Sequence, residues 1–162
     1  MRKLTLNIVI VAIITVVPNC NISKNTISKN QSWIPTDFNP AKTVLLVQKF
    51  PYPEKTGQLM EDYMKEKYPF KYEFVTAATI KSKTGKYANT KIYKYALVLS
   101  MQNSTLNITK GVSTKTHLPA VGFDFNFIDR STEKNYPTTN NTSSFAITTF
   151  KPVINTIIHK YE

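Results

Sequence analysis

The stretch "AVGFDFNFID" constrains what this chain can fold into more than any other. Val121, Phe123, Phe125 and Phe127 alternate with Gly122, Asp124 and Asn126. In a strand, successive side chains point to opposite faces of the sheet. Three phenylalanines and a valine therefore share one side, with Asp124 and Asn126 expected outward, the pattern of a half-buried antiparallel strand. Such a row needs a cover, and the C-terminal stretch "TTFKPVINTIIHKYE" offers one. Phe150, Val153, Ile154, Ile157, Ile158 and Tyr161 recur at intervals of three and four, the stripe of a core-facing helix. Thr149 is its expected cap. Pro152 fits the first turn, where a missing amide costs no intrahelical bond.

The rest of the chain supplies partners for these two elements. "KTVLLVQKF" (residues 42–50) is a continuous apolar run that reads as a buried strand, ended by the two prolines of "PYPE". "TGQLMEDYMKEKYPF" places Leu59, Met60, Tyr63, Met64 and Lys67 on one helical face and Glu61, Asp62, Lys65 and Glu66 on the other, stopping before Pro69. "KYEFVT" alternates as a second strand. "KIYKYALVLSMQ" predicts a long central strand, with Tyr93, Tyr95, Leu97, Leu99 and Met101 on one face and Ile92, Ala96 and Val98 on the other. "RSTEKN" turns the chain and "YPTT" returns it, while "NSTLNITKGVSTKTH" fits either a further strand or an exposed loop. The expected fold is α+β, in the order β-α-β-(β-rich middle)-α. Two helices pack on one face of a mixed, mostly antiparallel sheet. Residues 33–162 form a single domain: roughly 130 residues suffice for one core, and no Pro- or Gly-rich linker divides them.

The first 32 residues have a different character. Arg2 and Lys3 precede an apolar run over residues 4–17. As a helix that run spans about 21 Å, short of the roughly 30 Å hydrocarbon core. It suits a signal peptide, residues 1–19, better than a permanent span. Cys20 is the sole cysteine, so no disulfide forms within the chain. A charged start, an apolar core and then a cysteine resemble a bacterial lipoprotein signal. The resemblance implies that Cys20 becomes the first mature residue and carries acyl chains. The alternative is a conventional signal cut nearby, with Cys20 incidental. Residues 20–32 contain Ile-Ser-Lys-Asn twice and no apolar periodicity, as in a flexible tether.

Few residues carry chemistry. His117 and His159 are the only histidines: His117 has no adjacent cysteine or carboxylate, His159 sits near the end of the final helix where a cation suits the dipole, and two histidines fall short of the three or four ligands of a zinc site. No cofactor loop is present: four scattered glycines cannot cradle a phosphate. "STEK" and two "KTG" triplets occur in the reverse order to that of penicillin-binding enzymes. Asp124 and Asp129 are candidate acid and base groups, although five residues apart on one strand they project to opposite faces. Charge is the stronger signal. The formal net charge is +11, and Lys81, Lys83, Lys86, Lys91 and Lys94 crowd one segment, interleaved with Tyr87 and Tyr93. Lysines among aromatics suit polyanion binding, nucleic acid included. An exported protein more often meets anionic lipid or envelope polymers. The Asn-x-Ser/Thr triplets at Asn21, Asn30, Asn103, Asn107, Asn140 and Asn141 would accept glycans in a eukaryotic host, and there a secreted glycoprotein would replace the lipoprotein.

The succession "TVLLVQKF", helix, "YEFVT", "YALVLSMQ", "FDFNFIDRSTEKNYPT" and final helix resembles the small α+β domain of bacterial envelope lipoproteins related to the curli-secretion protein CsgG, LpoB and the N-terminal part of TolB. There a similar strand and turn, matched by "FIDRSTEK", precedes the last helix. The likeness spans residues 42–161 and implies a binding or assembly role in the envelope without catalysis. The expected partners are the membrane, through a lipid on Cys20, and another envelope protein or an anionic envelope polymer. The alternatives are an enzyme acting on an envelope polymer and a secreted basic domain that binds nucleic acid or other polyanions.

Overall fold

Five strands form one mixed sheet in the order β2-β1-β3-β4-β5. They are β1 (Leu45–Gln48), β2 (Tyr72–Val75), β3 (Tyr95–Lys110), β4 (Thr114–Asp129) and β5 (Lys134–Thr138), accompanied by α1 (Glu54–Lys67), α2 (Ala77–Lys81) and α3 (Ala146–Tyr161). The computed structural model describes residues 32–110 and 114–162, giving the backbone alone for 104–110 and 114–120. The apolar N-terminal run, Cys20 and the spacer through residue 31 lie outside the described residues. β1 runs parallel to β2 and β3, while β3-β4 and β4-β5 are antiparallel. The two parallel crossovers leave β1 and β2 in opposite directions across the sheet. Connections of the same hand must then cover opposite faces. The crossover through α1 covers one face, and that through α2 and a 3-10 turn (Gly85–Ala88) covers the other.

The first face carries the main core. Leu45, Val47, Tyr95, Leu97, Phe125 and Phe127 line it, and Met60 and Met64 of α1 with Phe150, Val153, Ile154, Ile157 and Ile158 of α3 close it. Each such side chain contributes about 1.5–3 kcal/mol by leaving water. Trp33, Ile34 and Phe38 complete this core from before β1. Phe38 sits among Tyr95, Phe127 and Tyr161, with ring centroids 5.6, 5.1 and 5.5 Å away. The fold is thus α+β, with both long helices on one face.

Three local expectations change, and one left open is decided. Asp124 and Asn126 do not face solvent: Asp124 is fully buried and Asn126 nearly so. Residues 139–143 bulge back over this end of β4, where Thr139 donates its hydroxyl to Asp124 and Ser143 pairs with Phe123. Tyr93 does not share a face with Tyr95. A turn at Asn89 holds it before β3 begins, and it packs into the second core instead. Helix α3 starts at Ala146, a turn earlier than the cap expected at Thr149. Phe145 is in the cap position without a side-chain bond, and Thr149 is buried, donating to the Phe123 carbonyl at 3.1 Å. Pro152 is therefore inside the helix rather than in its first turn. Finally, within "NSTLNITKGVSTKTH", left open between strand and loop, residues 103–110 and 114–117 are strand. β3 and β4 pair in unbroken register from Tyr95↔Asp129 to Lys110↔Thr114.

That pairing outruns the sheet. β1 pairs with β3 only at Ala96 and Leu97, and β5 stops at Asn126, followed by the single bridge at Phe123. Among the described residues, β3 and β4 then pair only with each other from about Gln102 outward. They form a two-stranded arm roughly 30 Å long. Register pairs Leu106 with Leu118, Asn107 with His117 and Ile108 with Thr116 along the arm.

Candidate functional site

The second face of the sheet carries a smaller core and an open cleft. Leu46, Ala96, Val98, Val75 and Ile80 form the core, with Tyr87, Tyr93 and Ile128 against it. Thr76 caps α2 by accepting the Thr79 amide at 3.2 Å. Gly85 (φ 68°) occupies the left-handed region that a glycine enters without strain, and so turns the chain into the 3-10 segment. Chain 77–94 thus lies across the sheet as a lid of short pieces, each too short to be stable alone.

Arg130 holds that lid down. It follows Ile128 on the same side of β4 and is 7% exposed. Its Nε donates to the Ile80 carbonyl at 2.7 Å. Nη1 donates to the carbonyls of Tyr87 at 2.9 Å and Tyr93 at 2.7 Å, and Nη2 to that of Ser82 at 2.8 Å. No carboxylate among the described residues lies within 4.0 Å of it, so its charge is balanced by carbonyl dipoles alone. Burial lowers the guanidinium pKa, but a group this basic stays charged at neutral pH.

Beside Arg130 a cavity of 570 Å³ opens between α2 and the β4–β5 turn. Ile80, Ala88 and Ile128 give it an apolar wall, while Lys81, Lys83, Ser131 and Glu133 form its polar rim. Lys83 and Glu133 pair across the mouth at 2.5 Å. Glu133 holds a left-handed φ of 60°, which costs a non-glycine residue about 1 kcal/mol. A second opening of 540 Å³ lies past the end of β1, between Lys49, Phe50, Tyr52, Glu54 and Glu61.

The lysines and tyrosines singled out in the sequence do not form one patch. Lys81 and Lys83 line the cleft. Lys86 pairs with Glu73 at 2.7 Å, and Lys94 pairs with Asp37, lying 3.7 Å from Asp129. Lys91 is exposed on the turn after Asn89. Tyr87 and Tyr93 stack edge to face at 5.1 Å and direct both hydroxyls to Glu73, at 2.8 and 3.4 Å. Burial tends to raise the Glu73 carboxyl, but the bonds from Lys86, Tyr87 and Tyr93 outweigh it and hold the pKa below the usual range. Those rings are half-buried parts of the second core.

Asp129 and Asp124 do not share a site. Asp129 accepts the Ser131 amide at 2.8 Å, its hydroxyl at 2.5 Å and the Thr132 amide at 3.3 Å, fixing the turn. Burial works to raise its pKa, but these donors and Lys94 lower it on balance. Asp124 accepts its neighbour's amide, that of Phe125, at 2.7 Å and the Thr139 hydroxyl, and its buried Oδ2 has no partner among the described residues. No group of three or more His, Cys, Asp or Glu side chains among the described residues could hold a metal ion. Nor is any described helix long and apolar enough to cross a membrane.

Arg130 was not singled out in the sequence, where it reads as the first residue of a polar turn. The available signal was its parity: it extends the series 122, 124, 126, 128 that faces the second side. No known protein family matches this chain, and no curated protein matches it.

Proposed function

We propose that this chain is an exported, lipid-anchored binding or assembly module of a bacterial cell envelope, held at the membrane through Cys20 and acting without catalysis. The observation that carries the reading is an apolar surface at the base of the β3–β4 arm. Met101 is 67% exposed, Val121 46%, Phe145 71% and Tyr52 82%. Three of them are tied to the neighbourhood of Phe123 through the backbone, and Tyr52 follows Phe50 by two residues. Met101 is the cross-strand partner of Phe123, Phe50 stacks on that ring at 5.5 Å, and the Phe123–Ser143 bridge brings Phe145 alongside. Exposed apolar side chains grouped near one end of a sheet are a feature of protein or membrane contacts. The arm above it adds to the argument, because an isolated two-stranded ribbon is marginally stable in water and gains from being covered. The partner that fits is another envelope protein with a complementary apolar face. A polar tether from residue 20 to residue 32 would let the domain reach it.

The enzyme reading draws less support. Asp124 and Asp129 are each committed to internal hydrogen bonds on opposite faces, whereas acid-base chemistry needs such groups to converge on a substrate. Nucleic-acid binding by stacking would require Tyr87 and Tyr93 to leave the second core.

The test is to express the chain with its own leader in a bacterium beside Cys20→Ala. A mature chain beginning at Cys20, heavier by acyl groups and membrane-bound only when the cysteine is present, is expected. An unmodified soluble product from both would overturn the anchor. Crosslinking of the Met101→Ser/Phe145→Ser variant then tests the contact surface, and unchanged partners would overturn its role.

A further inference from the structure

We propose that the cleft between α2 and the β4–β5 turn binds the phosphate group of a small phosphorylated ligand, with Arg130 at its floor and Lys81 and Lys83 at its rim. Arginine carries five N–H donors in a planar fork. Four are used on the carbonyls of the lid, and the remaining Nη2 donor has no protein acceptor among the described residues. Arg130 is 7% exposed as a residue, with Nε fully buried and both Nη atoms partly so; it lines the cleft and has no carboxylate partner among the described residues. Carbonyl dipoles alone meet its charge, and an anion entering the cleft adds the missing counter-charge.

The balance of charge selects the anion. Lys81, Lys83 and Arg130 oppose Glu133 alone, which leaves the cleft at a formal +2. A carboxylate would neutralise half of that, whereas a phosphate monoester carries about two negative charges at neutral pH. At 570 Å³ the cavity exceeds a bare oxyanion and lies within the range of small-molecule sites. Ile80, Ala88 and Ile128 give the organic part of the ligand an apolar wall. The Lys83–Glu133 pair spans the mouth, so an incoming phosphate competes with Glu133 for Lys83.

This assignment rests on the reading of the chain as a binding module but not on the anchor at Cys20, so the two can fail separately. The phosphate could come from a free metabolite or from a phospholipid headgroup. Calorimetric titration of the purified full chain with glycerol 3-phosphate addresses the first source, and co-sedimentation with phosphatidic acid vesicles, whose headgroup is also a phosphate monoester, the second. Glycerol serves as the uncharged control. One saturable site is expected for glycerol 3-phosphate and none for glycerol. Lys81 is exposed and outside both cores, so Lys81→Glu leaves the fold intact, which Trp33 fluorescence checks. It should weaken binding by at least about tenfold, while Lys91→Glu, on the same segment but outside the cleft, should not. A Lys81-dependent interaction confined to vesicles assigns the phosphate to the headgroup and supports the site. Binding to neither probe, or equal losses in Lys81→Glu and Lys91→Glu, overturns it.

Discussion

Replacing Arg130 by Gln should cost this protein far more stability than any other exchange of a basic residue. Hydrogen bonds to a charged group are worth about 1.5–3 kcal/mol each, so the four made by Arg130 would sum to about 6–12 kcal/mol if all were fully buried. Only the bond to Ile80 is fully buried; those to Ser82, Tyr87 and Tyr93 are partly exposed, and water would replace the lost donors there. Counting about 2 kcal/mol for the buried bond and up to about 1 for each of the others gives a loss of about 2–5 kcal/mol. Arg130→Lys should recover part of this, because an ammonium keeps the charge but radiates its donors from one atom and cannot span four carbonyls. Urea unfolding reports the global effect through Trp33, which is buried against the opposite face of the sheet. Amide exchange across residues 80–93 reports the local one. With a typical total stability of 5–15 kcal/mol, the variant should unfold at a clearly lower midpoint, and protection should vanish first across residues 80–93. A midpoint within about 1 kcal/mol of wild type together with unchanged exchange would refute the role given to Arg130.

Other consequences can be checked with the same protein. Donors from Lys94 and Tyr95 lower the pKa of Asp37, and the Asp129 and Glu73 carboxyls are also lowered on balance. A depressed folded-state pKa gives stability that is present above the unfolded value and lost as pH falls through the folded one. The urea midpoint should therefore hold at neutral pH and fall from about pH 4 downward, and Asp129→Asn should flatten that limb; an unchanged slope would count against the assignment. Burial raises the Tyr68 hydroxyl, and burial and Asp37 raise that of Tyr95. Their contributions are complete below about pH 10 and lost above it, so ultraviolet titration should find two tyrosines ionising only with unfolding. A methyl group at Gly122 would overlap the Thr142 Cγ2. Gly122→Ala should then cost about 1–3 kcal/mol and be partly relieved by Thr142→Ser; additive effects would show that residues 139–143 do not press on β4. Phe38→Ala should cost about 3–5 kcal/mol, and a much smaller loss would mean that residues 33–38 are not part of the core.

The first face was legible because it obeys periodicity. Phe125 and Phe127 of β4, Met60 and Met64 of α1 and the stripe from Phe150 to Ile158 each repeat at the spacing of their own element, and each is buried where that spacing puts it. Boundaries were less legible. Thr149 has the chemistry of a cap, but the Phe123 carbonyl offers its hydroxyl a buried partner, and packing then carries the helix a turn further back. The bulge that buries Asp124 depends on a contact fifteen residues away, which alternation within one strand cannot reveal.

The second face was legible only in part, for a reason of scale. Segments such as Ala77–Lys81 and Gly85–Ala88 span five and four residues, little more than one turn, so no period repeats within them and they leave no rhythm in the sequence. What orders them is a single side chain arriving from another strand to collect their carbonyls. The lysines there attracted notice because they cluster in sequence, yet Lys86 and Lys94 are answered by Glu73 and Asp37. Arg130 is separated from that cluster by the entire β3–β4 arm. Charge that is adjacent along the chain is largely compensated here. The buried charge with no carboxylate partner among the described residues is Arg130, which only the register of β4 brings to the cleft, and a run of lysines along the chain does not reveal it.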